Sequence, residues 1–227
     1  MTGGSPEASG TWIFGYGSLM WRPGFSYVEA ARARLNGYHR TFCVYSFVHR
    51  GTAAHPGLVL GLDAGGACTG MAFRVAASAV RETVAYLRAR EQVTGVYREL
   101  TGRIALLDGS GRHVRALFYV AERAHPQYAR HLTLLQEAAI IRAARGASGR
   151  NVDYLLSTVA HLAEFGIRDR HLERLARLVG PASRASGNAT SGGGSSSAGL
   201  KMGGRGARKA ALAKTRFQHR RNLRLPL

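Results

Sequence analysis

Trp12-Ile13-Phe14-Gly15-Tyr16-Gly17-Ser18-Leu19-Met20-Trp21 is the stretch on which the reading turns. Its first three residues form a short apolar run, and Gly15 ends it. That pattern predicts a buried strand entering a tight turn. Two glycines within three residues let the backbone approach a ligand closely and turn N–H groups outward. A nest of that kind binds a carboxylate or stabilises an oxyanion. The third glycine of a dinucleotide-binding fingerprint is missing, and no helical pattern follows directly. A nucleophile elbow needs glycine two residues after its serine, where Met20 stands, so Ser18 lacks the setting of a hydrolase nucleophile. Taken alone, the stretch also reads as an ordinary strand and turn.

Downstream of this turn the pattern is strand-like, then helical. Tyr38 to Val48 is aromatic and β-branched on both alternating faces, as in a strand covered on both sides. Leu58 to Leu62 and Cys68 to Val75 flank Asp63-Ala64-Gly65-Gly66, which predicts a hairpin. Ala77 to Arg90 switches to helical period, with Val80, Val84 and Leu87 on one face. Val96 to Leu107 and His113 to Val120 flank Asp108-Gly109-Ser110-Gly111, a second hairpin signal. After Pro126 the spacing is helical. Leu132, Leu135, Ala139 and Ile140 share one predicted face, and Val152, Leu155, Leu156 and Val159 a second. Leu172, Leu175 and Leu178 form a third stripe. Strands followed by helices argue for an α+β fold rather than a βαβ parallel sheet.

Composition bounds the function. The chain has 227 residues with 45% hydrophobic and 20% charged, enough apolar content to build a core. No stretch approaches ~18 uninterrupted apolar residues, so no membrane span is expected. Met1 to Thr11 has no basic segment leading into an apolar run, so no secretory leader is expected. Cys43 and Cys68 form no CxxC pair, which removes the usual signature of a disulfide scaffold or a structural zinc site. These features predict a reduced, cytoplasmic protein without metal or cofactor. The net charge of +19 is unevenly spread: ten of the 32 Lys/Arg lie after Gly180, and no Asp or Glu follows Glu173. That segment holds Ser191-Gly192-Gly193-Gly194-Ser195-Ser196-Ser197, a linker composition. Residues 1–10 read as a flexible N-terminus, 11–179 as the folded domain, and 180–227 as a disordered basic tail. Such a tail can contact nucleic acid non-specifically by releasing counterions. Its one aromatic, Phe217, offers little for base stacking.

Glu91 is the second candidate for chemistry. It ends the predicted helix, followed by Gln92-Val93-Thr94-Gly95-Val96-Tyr97. A carboxylate at a helix C-terminus faces the negative end of the macrodipole, which disfavours its ionisation, while Arg88 and Arg90 act the other way. The same spacing also suits a plain surface ion pair. His49-Arg50-Gly51 sits at a strand end, where Arg50 can meet an anion. Arg150 and Asn151 start a helix, with Asn151 a candidate cap beside a candidate anion seat. The nine histidines show no HExxH pattern.

Ile13-Phe14-Gly15-Tyr16-Gly17-Ser18-Leu19-Met20-Trp21 resembles the opening of the ChaC family of glutathione-specific γ-glutamylcyclotransferases. The likeness continues, in order, through His49-Arg50-Gly51, Pro56-Gly57-Leu58-Val59-Leu60 and Gly70-Met71-Ala72-Phe73-Arg74. Arg90-Glu91-Gln92-Val93-Thr94-Gly95-Val96-Tyr97 and Ser148-Gly149-Arg150-Asn151 complete it, and residues 180–227 stand outside it. The link Gln92-Val93-Thr94-Gly95 looks like that of bacterial members, the animal one being shorter and richer in glycine. The resemblance implies a γ-glutamylcyclotransferase-like fold, a small mixed β-barrel with flanking helices. It implies Glu91 as the catalytic acid/base and Ile13, Phe14, Gly15, Tyr16, Gly17, Ser18 and Leu19 as the substrate loop. Arg50 and Tyr97 are implied as further substrate-orienting residues.

The implied reaction needs no enzyme nucleophile and no cofactor. The α-amine of a γ-glutamyl group attacks its own γ-carbonyl, closes 5-oxoproline and expels the next residue as an amine. The partners are tethered, so effective molarities near ~10⁵–10⁸ M are available in the right conformer. The missing part is a base for the α-ammonium, which Glu91 would supply. Three other readings compete: a cyclotransferase on other γ-glutamyl peptides or amines, a non-catalytic adaptor whose basic tail associates with RNA, and a serine hydrolase using Ser18.

Overall fold

A computed structural model describes residues 10–180. The expected flexible start and basic tail fall almost wholly on residues 1–9 and 181–227, outside the described part.

Five strands close into a barrel in the order β1-β3-β2-β4-β5. They are β1 (Thr11–Gly15), β2 (Glu29–Ser46), β3 (Gly57–Val75), β4 (Tyr97–Leu106) and β5 (His113–Ala121). Every pairing is antiparallel except the one that closes the ring, where Trp12 and Ile13 of β1 run parallel to Ala116 and Leu117 of β5. The seam between β2 and β4 is short, with Ala33–Leu35 set against Ile104–Leu106. Helix α1 (Val80–Glu91) lies between β3 and β4, and α2 (Leu134–Ala143), α3 (Asn151–Glu164) and α4 (Arg170–Val179) follow the barrel. The α+β order expected from the strand and helix runs is therefore present. Among the described residues no helix is long and apolar enough to cross a membrane.

The hairpin expected at Asp63-Ala64-Gly65-Gly66 is not there. These residues lie inside β3, which runs unbroken for 19 residues beside the 18 of β2. The register shifts between Asn36 and Tyr38, leaving Gly37 opposite Gly65 and Gly66. All three glycines have positive φ, at 88°, 103° and 67°. The glycines thus form a bulge that bends a long ribbon, which is how a small barrel turns its corners. Asp108 to Gly111, by contrast, does connect an antiparallel pair, β4 and β5. The Gly146–Gly149 break holds a two-residue pair, β6 (Arg145–Gly146) with β7 (Gly149–Arg150).

Alternation along β1 covers it on both sides. Trp12 and Phe14 join a core with Phe42, Leu58, Leu62, Leu155, Leu162 and Leu172, which seats the three C-terminal helices. Ile13 joins a second cluster with Leu19, Val75, Leu87, Leu117 and Tyr119, which seats α1. The helix faces differ in part from the periodicity. In α2 the buried residues are Glu137, Ala138 and Ile141, while Leu135 is 70% exposed. Leu156 and Leu178 also reach solvent, at 40% and 36%. Period alone locates a helix but leaves its rotation to whichever face meets the barrel.

Candidate active site

The turn after β1 carries the site. Gly15 comes so close to the next strand that a side chain on Gly70 would strike its carbonyl oxygen at 2.2 Å. Ser18–Met20 then form one 3₁₀ turn, with Met20 N–H donating to Gly17 carbonyl at 2.9 Å and Arg22 N–H to Ser18 carbonyl at 2.8 Å. The N–H groups of Gly17 and Ser18 donate to no backbone carbonyl among the described residues, leaving them for a ligand. The Tyr16 carbonyl is held from behind by Arg40, a buried guanidinium that also donates to Thr69 carbonyl at 2.7 Å. Arg40 is balanced by Asp169 at 3.1 Å, the residue that caps α4.

A small open cleft of about 80 Å³ lies against this turn. Tyr16, Gly17, Ser18 and Leu19 form one wall, and Glu91 from the last turn of α1 faces into the same space. Val59 and Leu60 of β3, with Tyr97, Tyr119 and Tyr154, complete it. The Tyr97 hydroxyl donates to the Leu60 carbonyl at 2.6 Å, and the Tyr119 hydroxyl to Glu99 at 3.0 Å. Burial holds the phenols of Tyr16 and Tyr97 well above their ordinary value and pushes Tyr154 up to about 12. They are neutral donors and surfaces, not bases.

Glu91 differs from these. Its side chain is 18% exposed, and its sole ionic contact among the described residues is Arg90 Nε at 3.2 Å from Oε1. Burial raises its pKa, and the Arg90 charge offsets part of that rise. A carboxylate so placed is a stronger proton acceptor than one in water, yet is accessible from the cleft. The neighbouring Glu99 is the opposite case. Arg88 grips it through Nε at 2.9 Å and Nη2 at 2.8 Å, which holds its pKa down.

The cleft brings together Tyr16, Gly17, Ser18, Leu19, Glu91 and Tyr97 of the sequence candidates. Ile13 and Phe14 instead point into the two cores on either side of β1, and Gly15 packs on Leu19. Arg50 stands outside the lining, donating to Ser148 carbonyl with its guanidinium 5.1 Å from the centre of the Tyr154 ring. Asn151 is not a cap. It is the first residue of α3, fully buried, and its side chain accepts from Leu58 N–H at 2.6 Å and donates to Leu58 carbonyl at 2.7 Å. Its own N–H donates to the Ala144 carbonyl. Ser18 Oγ accepts from Arg90 rather than facing a histidine. Tyr119 and Tyr154 were missed by the sequence reading, because each sits in a strand or helix as one aromatic among many. Val59 and Leu60 carried a signal, in the Pro56–Leu60 stretch, but no role. Among the described residues no three His, Cys, Asp or Glu side chains gather as metal ligands.

Comparison with known proteins agrees with this architecture. The family model described as ChaC-like protein matches residues 11–182. The glutathione-specific gamma-glutamylcyclotransferase of Escherichia coli is 37% identical over 170 residues, spanning 75% of this chain and 73% of its own. The human glutathione-specific gamma-glutamylcyclotransferase 1 is 36% identical over 181 residues, spanning 78% and 81%. A crystal structure of the yeast glutathione-specific γ-glutamyl cyclotransferase superposes with a TM-score of 0.68 at 24% identity, over 75% of this chain and 96% of that one. That last likeness shows the fold, a γ-glutamylcyclotransferase barrel with flanking helices. The extent of the family match and the identities to full-length relatives lead to one assignment: the chain belongs to the ChaC-like protein family.

Proposed function

We propose that this protein is a γ-glutamylcyclotransferase that cleaves glutathione to 5-oxoproline and Cys-Gly, with Glu91 moving the protons. One observation carries the reading: a partly buried carboxylate with raised proton affinity shares a cleft with the unpaired N–H groups of the Gly17–Ser18 turn. Relatives that bear the name of this activity cover about three quarters of the chain, which supports the substrate as well.

Glutathione enters with its α-amine protonated. Ionised Glu91 takes one proton, freeing a lone pair. The amine nitrogen attacks the γ-carbonyl carbon, and the C–N bond of the five-membered ring forms. Charge collects on the carbonyl oxygen, or rests on the α-carboxylate; either anion suits the Gly17 and Ser18 N–H groups. A preorganised donor of this type is worth about 2.7–4 kcal/mol in acyl transfer. Glu91 hands that first proton to the cysteine nitrogen as its bond to the carbonyl carbon breaks, and the emptied carboxylate takes the second proton from the ring nitrogen. The cysteine nitrogen departs as an amine, which is protonated at neutral pH, and Glu91 releases the second proton to solvent and is ionised again. Atoms balance without water, so the tyrosine-walled cleft serves by holding the folded conformer and limiting solvent. Tyr97, fixed through Leu60, and Tyr16 orient the γ-glutamyl group, and Arg50 supports Tyr154 from outside.

The reading places the activity in the cytoplasm, where glutathione is held reduced. Cys43 and Cys68 are free and buried, with thiols pushed up to about 12 and about 11, as suits cysteines kept inert. The experiment is incubation of the purified protein with glutathione while 5-oxoproline and Cys-Gly are quantified. γ-Glutamyl-alanine run in parallel separates a glutathione enzyme from one of broader γ-glutamyl range. No 5-oxoproline from either substrate would reject the proposal.

A further inference from the structure

Arg90 touches both walls of the cleft. It stands beside Glu91 in the last turn of α1, with its side chain 25% exposed. Nη2 donates to Ser18 Oγ at 2.9 Å, and Nη1 donates to the Arg22 carbonyl at 2.8 Å and the Tyr86 hydroxyl at 3.0 Å. Nε, on the same rigid plane, lies 3.2 Å from Glu91 Oε1. A planar fork spreads its donors over three nitrogens and meets a turn hydroxyl, a loop carbonyl and a carboxylate in fixed directions, whereas an ammonium donates from a single point. We propose that Arg90 is a positioning residue, which holds the Ser18 turn and the Glu91 carboxylate in one register across the cleft and keeps a cation against that carboxylate. This rests on the reaction assigned to Glu91 above.

The surroundings of Glu91 leave that task to one group. From the other elements around it come Tyr16, Tyr97, Tyr119 and Tyr154, whose phenols are all held above their ordinary value and stay neutral. Burial alone would keep Glu91 protonated over a wider pH range, and a protonated carboxyl cannot accept from the α-ammonium. Arg90 opposes that. Arg88, two residues earlier, is spent on Glu99 at the surface.

The test follows the Glu91 side-chain carboxyl by ¹³C NMR titration without substrate, its signal assigned by its loss in Glu91→Gln. Wild type, Arg90→Lys and Arg90→Gln are compared, and kcat and KM for 5-oxoproline release are then measured against pH. In Arg90→Gln the Glu91 titration and the acid limb of kcat both move to higher pH, and kcat on the acid side falls roughly tenfold. Arg90→Lys keeps the titration near wild type but lowers kcat/KM at every pH, because the fork is gone. Ser18→Ala lowers kcat/KM likewise without moving the titration. Glu91 titrating alike in all the Arg90 proteins overturns the proposal. So do unchanged kcat and KM in both Arg90→Lys and Ser18→Ala. Should Arg90→Gln fail to fold, the last two variants still decide the positioning role. Wild type that titrates as expected but releases no 5-oxoproline at any pH overturns the reaction and leaves the Arg90–Glu91 coupling standing.

Discussion

The cleft around Glu91 and the joint between α2 and α4 each draw a carboxylate out of water beside one basic group, and they use it in opposite ways. At the joint, Glu137 is 4% exposed and sits in the first turn of α2. His171 of α4 meets it Nε2 to Oε2 at 2.8 Å, and the pair ties two helices together. In the cleft, Glu91 ends its helix instead of starting it, and Arg90 Nε lies 3.2 Å from its Oε1. A helix N-terminus and a hydrogen-bonded histidine suit a carboxylate that stays put. A helix C-terminus and burial, only partly offset by a neighbouring cation, suit one that must take up and release a proton. Environment, not residue type, separates the structural acid from the reactive one.

The sharpest way to break this contrast is Glu91→Gln. It removes the proton acceptor while keeping shape, so 5-oxoproline release should fall on the order of 10³-fold. Thermal unfolding should be unchanged or slightly later, since a partly buried charge has been removed. A coincident loss of fold would make Glu91 structural after all. Next comes Asn151→Ala, at the seam between α3 and β3. It strips both polar groups of Leu58 of their side-chain partner, and denaturant unfolding should show a loss of about 3 kcal/mol. Because Leu60 lies two residues further along β3, activity should suffer too; full activity with full stability would discard the seam. Tyr97→Phe frees the Leu60 carbonyl and should lower kcat/KM about tenfold with little change in melting.

The smallest effect belongs to the joint. Contact with Glu137 raises the His171 pKa above its ordinary value. A histidine whose folded pKa is raised stabilises fully below its unfolded value of about 6.5 and loses that contribution as pH rises through the folded value. His171 is 40% exposed, so solvent screening should keep the effect under about 1 kcal/mol. Melting temperature should therefore fall slightly more between pH 6 and pH 8.5 in the wild type than in His171→Gln. Parallel curves would show that the pair contributes nothing.

Legibility followed locality. Asp108-Gly109-Ser110-Gly111 marked a true connection because a tight turn is made by the residues in it. Asp63-Ala64-Gly65-Gly66 has a similar composition, an aspartate and two glycines, and is a bulge, because what decides is whether a partner strand continues alongside, and β2 does. The first half of β2, Glu29 to Gly37, lies outside the expected strand at Tyr38 to Val48, although exposed Arg32, Arg34 and Asn36 alternate with buried Ala33 and Leu35 in the short period-2 pattern of a half-covered strand. The same division runs through the site. Gly15, Gly17 and Glu91 stood out in the sequence, whereas Tyr119 and Tyr154 reach the cleft from β5 and α3.

The amino-acid order alone determined the strand-then-helix succession, the glycine turn after Phe14 and the acid at the end of α1, since each depends on neighbours within a few positions. Tertiary structure alone decided that β1 closes the barrel against β5, that Asn151 secures Leu58 rather than capping a helix, and that Arg90 spans from Glu91 to Ser18. Those are contacts between residues dozens of positions apart. Their formation depends on the cost of closing the chain being offset by burial, a balance struck by the whole fold and written in no single segment.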